Sequence, residues 1–360
     1  MSELGGMAGE RGVSGLSLRE RRASSALRAL DRRAILYAMR RATHGFFLHR
    51  GIDAGATLTF FSALAFFPAT LAVVSTVGLL DPQGDAVRVI LNVIDTFVPK
   101  STVGTTRLAL EQFTRMPDPF FTLVVGLALT VWTGASYATA FGRIVNGVYG
   151  VEEGRRFIKL RLLMLLEAVV LIVLLFTIAV IVIITPDVAK TIVTTLGWPP
   201  VASLVWSVLK WPALALLAVF TVVVLHYGTP NLRRPRIRLL SVGATFSIVA
   251  WSLTTAGYSF YVSTFAAYDK FYGLLGGAII TLIWLFLSNL VLVIGVEVDA
   301  ELTRARQLLR EMPAEESIQV PLRDNHRNLI LARRLERDTS EGVAIRGEAR
   351  RLRRQRPPAN

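Results

Sequence analysis

Six long apolar stretches run through this chain, and the polar segments between them are alternately rich and poor in Lys and Arg. The stretches cover 56–80, 120–142, 162–185, 201–227, 239–262 and 273–297. Each supplies the apolar residues, about 20, that a helix needs to cross a hydrocarbon core of roughly 30 Å. Short runs of alternating apolar and polar residues, the mark of a membrane β-barrel, do not occur. The pattern predicts an all-α, polytopic membrane protein with six transmembrane helices.

Counting Lys and Arg sets the direction. Ten lie before the first span, and the segments 143–161, 228–238 and 298–360 hold 5, 4 and 14. The intervening segments 81–119, 186–200 and 263–272 hold 4, 1 and 1. The expected topology places the protein in a bacterial inner membrane with both termini in the cytoplasm. Residues 1–55 are then a basic cytoplasmic segment, 56–300 the membrane domain, and 301–360 a basic, largely disordered tail. In the long outer loop "DAVRVILNVIDTFVPK", Val87, Ile90, Leu91, Ile94 and Val98 recur at helical spacing. This predicts an amphipathic segment within 85–116 that lies on the outer surface or caps the bundle. A second amphipathic stretch, "ALRALDRRAILYAM", precedes the first span and predicts an interfacial helix.

Composition narrows the chemistry. Mean hydropathy is +0.50 and 52% of the 360 residues are hydrophobic, more than a soluble chain of this size carries. With no cysteine, disulfides, thiolate metal sites and cysteine nucleophiles are excluded. His44, His49, His226 and His326 form no spaced ligand pair, so neither metal nor cofactor is expected. No Gly-rich phosphate loop ending in Gly-Lys-Ser/Thr is present, which argues against an ATP-driven machine. The polar, Arg-rich stretch ahead of the first span is too long and too charged for a signal peptide.

An ionisable residue inside a span is costly enough to be a functional candidate. Glu167 lies near the cytoplasmic end of the third span and Lys210 in the outer part of the fourth. At 1.5 Å per residue their depths differ by roughly 10–15 Å, so a direct ion pair is not expected. Lys210, beside Trp206 and Trp211, suits snorkelling to the outer surface; facing a cavity, it would attract an anion. Glu167 and Glu297 fall in the inner leaflet with Asp53, Arg143, Asn146 and Arg161, a polar cluster drawn from four helix ends. Glu297 and Glu301 are one turn apart and share a face, whereas Asp299 points nearly opposite. Glu297 is the inward-facing candidate, with Asp299 and Glu301 fixing the helix end against basic neighbours. A gate and a static clasp would use the same residues, and both readings stand.

Small residues predict where helices approach closely. The second span carries Gly126, Thr130, Gly134, Ala138 and Gly142; the fifth carries Gly243, Ser247, Ala250 and Thr254; the sixth carries Gly277, Trp284, Ser288, Gly295 and Asp299. Pro68 and Pro212 fall mid-span and each removes a backbone donor. Such breaks line substrate sites in many transporters and also occur as ordinary kinks.

Three blocks resemble the YihY/BrkB family: "TLTFFSALAFFPATLAVVSTVGLL", "RIVNGVYGVEEGRRFIKLRL" and "FYGLLGGAIITLIWLFLSNLVLVIGVEVDAEL". "LHYGTPNLRRPRIRLLSVGA" fits the same family, and the similarity runs over roughly 45–305. The resemblance implies a six-span inner-membrane protein, often taken for a transporter and linked to envelope lipids or virulence. It picks out Ser62, Pro68, Arg143, Asn146, Tyr149, Glu153, Tyr227, Pro230, Asn231, Tyr272, Gly273 and Glu297. The chain departs from the pattern in having Phe60, Phe61, Phe66 and Phe67 where tyrosines are usual, and Asp299 where Asn is usual.

Family members were formerly called ribonuclease BN. A metal-dependent nuclease needs clustered His and Asp ligands, which the dispersed histidines do not provide. The leading expectation is a transporter or flippase-like protein, not ATP-driven, for an envelope lipid or another amphipathic or anionic solute. Its gate candidates are Glu297, Glu167, Arg143, Asn146, Lys210, Ser62 and Pro68. The alternative is a membrane scaffold acting through its basic tails on anionic lipids or an acidic partner. An enzyme is not expected, since Glu167 and Glu297 are the sole pair of carboxylates near one depth. Nucleic-acid binding is not expected either, because the tails lack interleaved aromatics.

Overall fold

The computed structural model describes residues 31–80, 118–195, 197–233, 242–265 and 274–355. Within them the chain forms α1 (Arg32–Leu48), α2 (Gly51–Leu80), α3 (Pro119–Val148), α4 (Phe157–Ile183), α5 (Pro186–Thr195), α6 (Val201–Gly228), α7 (Val242–Phe265), α8 (Leu274–Leu308) and α9 (His326–Gln355). Local chemistry starts several of them. Asp31 caps α1 by accepting the Ala34 N–H at 2.6 Å. Asp118 caps α3, with Pro119 behind it at the start of the helix. Arg50 adopts a left-handed φ of 53°, which lets α2 begin almost where α1 stops.

Five helices, α2, α3, α4, α6 and α8, are long and apolar enough to cross a membrane. On their outer faces Phe67, Val208 and Leu216 are 74%, 69% and 70% exposed, an arrangement suited to lipid rather than water. The expected fifth span, 239–262, is helical from Val242 as α7 but is less apolar than these five. Its polar side chains bond α8 in antiparallel register. The Tyr258 hydroxyl donates to Ile280 O at 2.9 Å, Trp284 Nε1 donates to Thr255 Oγ1 at 3.4 Å, and Trp251 Nε1 donates to Ser288 Oγ at 3.1 Å. Farther along, Ser247 and Gly243 lie against Gly295 and Asp299 with no room for a Cβ. The low hydropathy of α7 is thus the signature of interhelical bonding.

Packing follows a closed circuit, α2–α3–α4–α6–α7–α8 and back to α2, with α1 laid against α8. The Gly126-to-Gly142 ladder of α3 does not form one seam. Four-residue steps advance about 40° beyond a full turn, so the ladder winds round the helix. Gly126 therefore meets Ala72 of α2, Gly134 meets Ala168 of α4, and Gly142 meets Thr229 after α6. Pro68, inside α2, contributes its carbonyl to the Gly126 crossing.

Burial concentrates toward one end, where Leu58, Phe141, Val145, Leu225, Val293, Val296 and Ile318 form the main core. The basic segments around 49, 150, 230 and 300–325 meet at this same end. The α8 helix outruns its expected span and reaches Leu308. Where the sequence suggests a largely disordered tail from 301, the structure has a folded segment at 309–325 and then α9. Arg304 Nη1 donates to Ala314 O at 2.7 Å, and Gln307 and Gln319 exchange two hydrogen bonds at 2.7 and 3.0 Å. These bonds, with the buried Ala314 and Ile318, hold a segment that is otherwise mostly polar. The expected amphipathic segment 85–116 lies outside the described residues.

Candidate functional site

A stripe of small residues positions the first element of the site. Ala38, Ala42 and Gly45 share one face of α1, and Ala38 and Ala42 pack on Val298, Leu302 and Ala305 of α8. The same face ends at His49, whose Nδ1–H donates to Glu297 Oε1 at 2.8 Å. Glu297 is 1% exposed, and its Oε2 has no hydrogen-bond partner among the described residues. A Cβ on Gly45 would lie 2.7 Å from that oxygen, so glycine is required for α1 to approach the carboxylate. The hydrogen bond to Glu297, aided by the negative charge of Glu301, holds the His49 imidazole above its ordinary pKa of 6.5; partial burial opposes this.

Glu297 and His49 line a cavity of about 310 Å³ together with Arg143, whose neighbours on the wall are Ile144, Val148 and Val293. Arg143 is exposed and makes no hydrogen bond or ion pair among the described residues. The cavity therefore combines a buried carboxylate, a histidine and an uncommitted guanidinium with apolar walls. One turn further along α8, Glu301 is paired with Arg41 and Arg304, both at 3.0 Å. Asp299 faces the other way, accepting from the Tyr149 hydroxyl at 3.3 Å beside Gly243 of α7.

A second polar assembly ties the loop after α3 to the segment after α6 and to residues 319–327. Asn231 is fully buried. Its backbone N–H donates to Asn146 Oδ1 at 2.9 Å, and its side chain bonds Glu152 O, Asp324 O and the Asp324 N–H at 3.2, 2.7 and 3.1 Å. Arg155, 2% exposed, grips Glu153 through two bonds of 2.7 and 2.6 Å and donates to Thr229 O at 2.7 Å. Arg323 donates to the carbonyls of Tyr227, Gly228 and Leu232. Lys159 pairs with Asp324 at 2.8 Å, and that bond, with the His326 N–H, holds the Asp324 carboxyl below its ordinary range.

The structure divides the expected inner cluster. Glu297 and Arg143 share the cavity, whereas Asn146 belongs to the Asn231 knot. Glu167 lies against Gly228, with Arg323 and Arg155 as its acting cations, so it sides with the knot. Arg161 sits 4.1 Å above the Trp132 ring, and Asp53 is exposed in the first turn of α2. Arg143, Ile144, Gly147 and Val148 face the cavity, and Asn146 points away from them; the helical rotation separates the two groups. Lys210 lies over Trp211 at 5.3 Å. Ser62 joins a mid-depth cluster in which Asn289 Nδ2 donates to Thr59 Oγ1 and Ser62 Oγ, both at 3.3 Å, and Tyr137 donates to Asn289 Oδ1 at 3.0 Å.

A match to the family described as Virulence factor BrkB spans residues 43–318. The chain belongs to the BrkB family. It is 26% identical over 266 residues to the ribonuclease-like protein YfkH of Bacillus subtilis (strain 168), which covers 74% of this chain and 95% of that protein. It is 24% identical over 276 residues to a UPF0761 membrane protein of Vibrio campbellii, covering 74% of this chain and 81% of that protein. A UPF0761 membrane protein of Chromohalobacter salexigens is 27% identical over 289 residues, covering 77% of this chain and 67% of that protein. No solved structure matches.

Of the residues picked out by the sequence resemblance, Asn146, Glu153, Tyr227, Pro230 and Asn231 belong to the knot or border it, and Arg143 lines the cavity. Tyr149 serves Asp299, Ser62 serves Asn289, and Glu297 serves the cavity. Tyr272 and Gly273 lie outside the described residues. The ribonuclease word belongs to the name of the B. subtilis relative. Among the described residues no three His, Asp or Glu side chains are grouped to hold a metal ion.

Sequence reasoning passed over His49, Arg155, Arg323, Tyr137 and Asn289. Asn289 carries a legible signal, an amide in the middle of an apolar run. The two arginines look like ordinary topology-setting residues, and His49 is informative only once α1 lies beside α8.

Proposed function

We propose that this multi-pass membrane protein of the BrkB family is a transporter or flippase-like protein for an envelope lipid or another amphipathic or anionic solute. In this reading it lies in the inner membrane with the basic end in the cytoplasm, and the Glu297 cavity is its inner gate. One observation carries the reading: a buried carboxylate with an unpartnered oxygen shares a cavity with an uncommitted arginine. Purely structural ion pairs bring their groups together and satisfy them. Here Arg143 and one oxygen of Glu297 are left available to something that enters.

The test is reconstitution. Purified protein in liposomes, with and without a pH gradient, is followed for movement of a labelled lipid and of an organic anion. Movement above protein-free liposomes supports the reading; none for either class under either condition contradicts it.

A second reading, a scaffold acting through its tail, is favoured by α9, which is exposed and Arg-rich along its length. Removing residues 332–360 separates the two. That cut leaves the 309–325 segment and the start of α9, where the Arg327 N–H donates to Gly154 O at 2.8 Å. A scaffold loses its function with this deletion; a transporter keeps it.

A further inference from the structure

We infer that the Glu297 cavity binds a zwitterionic headgroup of the phosphoethanolamine type, with its primary ammonium on Glu297 and its phosphate on Arg143. This rests on the transporter reading and specifies the substrate class of its gate.

The cavity carries both signs of charge in separate, unsatisfied places. Glu297 keeps one oxygen on His49 and leaves Oε2, buried, without a donor. An unmet buried acceptor is costly, more so on a charged group, and a ligand N–H removes that cost. Arg143 offers a planar set of donors suited to a phosphate, and no acidic side chain among the described residues occupies it. A simple anion would answer Arg143 and leave Oε2 bare beside a like charge. A simple cation would answer Glu297 and meet the arginine's repulsion. A molecule with an ammonium and a phosphate a few atoms apart answers both.

Size and surroundings agree. A volume of about 310 Å³ is at the lower end for small-molecule sites, enough for a headgroup and too small for a whole lipid. Ile144, Val148 and Val293 present apolar wall to the carbons joining the two charges. At the adjoining α1–α2 turn, Phe47, Leu48 and Ile52 are exposed, a place for acyl chains to leave the headgroup. Glu301 is already held by two arginines and Asp299 by Tyr149, so Glu297 is the acid that remains for the ligand.

The test is native mass spectrometry of the full chain released from nanodiscs of equal parts phosphatidylethanolamine, phosphatidylcholine and phosphatidylglycerol. The expected result is retention of phosphatidylethanolamine about tenfold above the other two, because choline has no N–H to donate and glycerol no ammonium. Glu297→Gln should erase that preference, and Arg143→Gln, which removes the phosphate contact common to all three lipids, should lower retention of all three about tenfold; Arg143 is exposed, so its variant folds even if the first does not. Soluble phosphoethanolamine is then added as competitor. Displacement of the lipid at comparable concentration assigns the site to the free zwitterion, and failure to displace it assigns the site to the lipid. Equal retention of all three lipids by the wild type, or retention unchanged in Arg143→Gln, overturns the inference. The liposome assay decides the transporter reading independently, since a protein that moves other cargo passes it without this selectivity.

Discussion

The knot around Asn231 and the cavity at Glu297 lie at the same end of the bundle and draw on the same kinds of side chain. The knot holds two arginines, a lysine, a glutamate, an aspartate and two asparagines, and it bonds them to one another and to backbone groups. Of the knot's fully buried side-chain atoms, Arg155 Nη1 alone lacks a partner among the described residues, and Glu167, half-buried at its edge, makes no hydrogen bond there. The cavity holds an arginine, a glutamate and a histidine, and it joins two of them through one hydrogen bond. Glu297 is 1% exposed and the Glu153 side chain 14%, so burial separates the regions little; saturation separates them. A region that fixes helix ends binds its own charges, and a region that handles a ligand leaves charges free. The gate and the clasp, which the sequence left as alternatives for one set of residues, are in this account two neighbouring assemblies.

The sharpest way to break the comparison is Arg155→Met. It leaves Glu153, half-buried beside Asn146, without its cation and Thr229 O without its donor, a loss of about 2–3 kcal/mol. Thermal unfolding in detergent should show a large fall in midpoint. A small effect would mean that the knot is not what ties the loop after α3 to residues 319–327. Gly45→Ala comes next. The new methyl group, 2.7 Å from Glu297 Oε2, must push the carboxylate or α1 aside at about 1–3 kcal/mol. It should also disturb the cavity, so any translocation falls along with stability.

His49 sharpens the contrast through pH. Its folded pKa is raised, so the stability it adds is fully present below 6.5 and is lost as pH rises through the higher folded value. Unfolding midpoints measured from mildly acidic to alkaline pH should decline over that window in the wild type. His49→Gln should flatten the decline, and an unchanged slope would show that the pair contributes nothing. The smallest effect on stability belongs to Arg143→Gln, within about 0.5 kcal/mol for an exposed residue that bonds nothing. A marked destabilisation would move Arg143 into the structural class.

Much of the membrane fold was legible in the sequence, because apolar runs of spanning length have few other solutions in lipid. The helix in the fifth apolar stretch, α7, is less apolar than the five candidate spans because Trp251, Thr255 and Tyr258 bond α8. The pairing of faces on α8 was also legible: residues 297 and 301 point to α1, and 299 points to α7. What composition conceals is contact between distant segments. Asn231 meets Asn146 and Asp324 across 85 and 93 residues of chain, and no local pattern announces either meeting. The segment 309–325 reads as solvated tail because backbone bonds to Arg304, Gln307 and Asn231 hold it, not apolar packing alone. His49 became a site residue through the Ala38, Ala42, Gly45 stripe, a pattern visible in the sequence and meaningful once α8 is placed beside it.

The central claim is that the Glu297 cavity is the working region and the knot its frame. Its most direct test compares translocation by wild type and Arg143→Gln in the same liposomes, with unfolding midpoints measured on both preparations. The account predicts equal midpoints and a rate about tenfold lower in the variant, the loss of one charge-assisted contact. Equal rates at equal midpoints would contradict it, and would place the working site of this protein elsewhere.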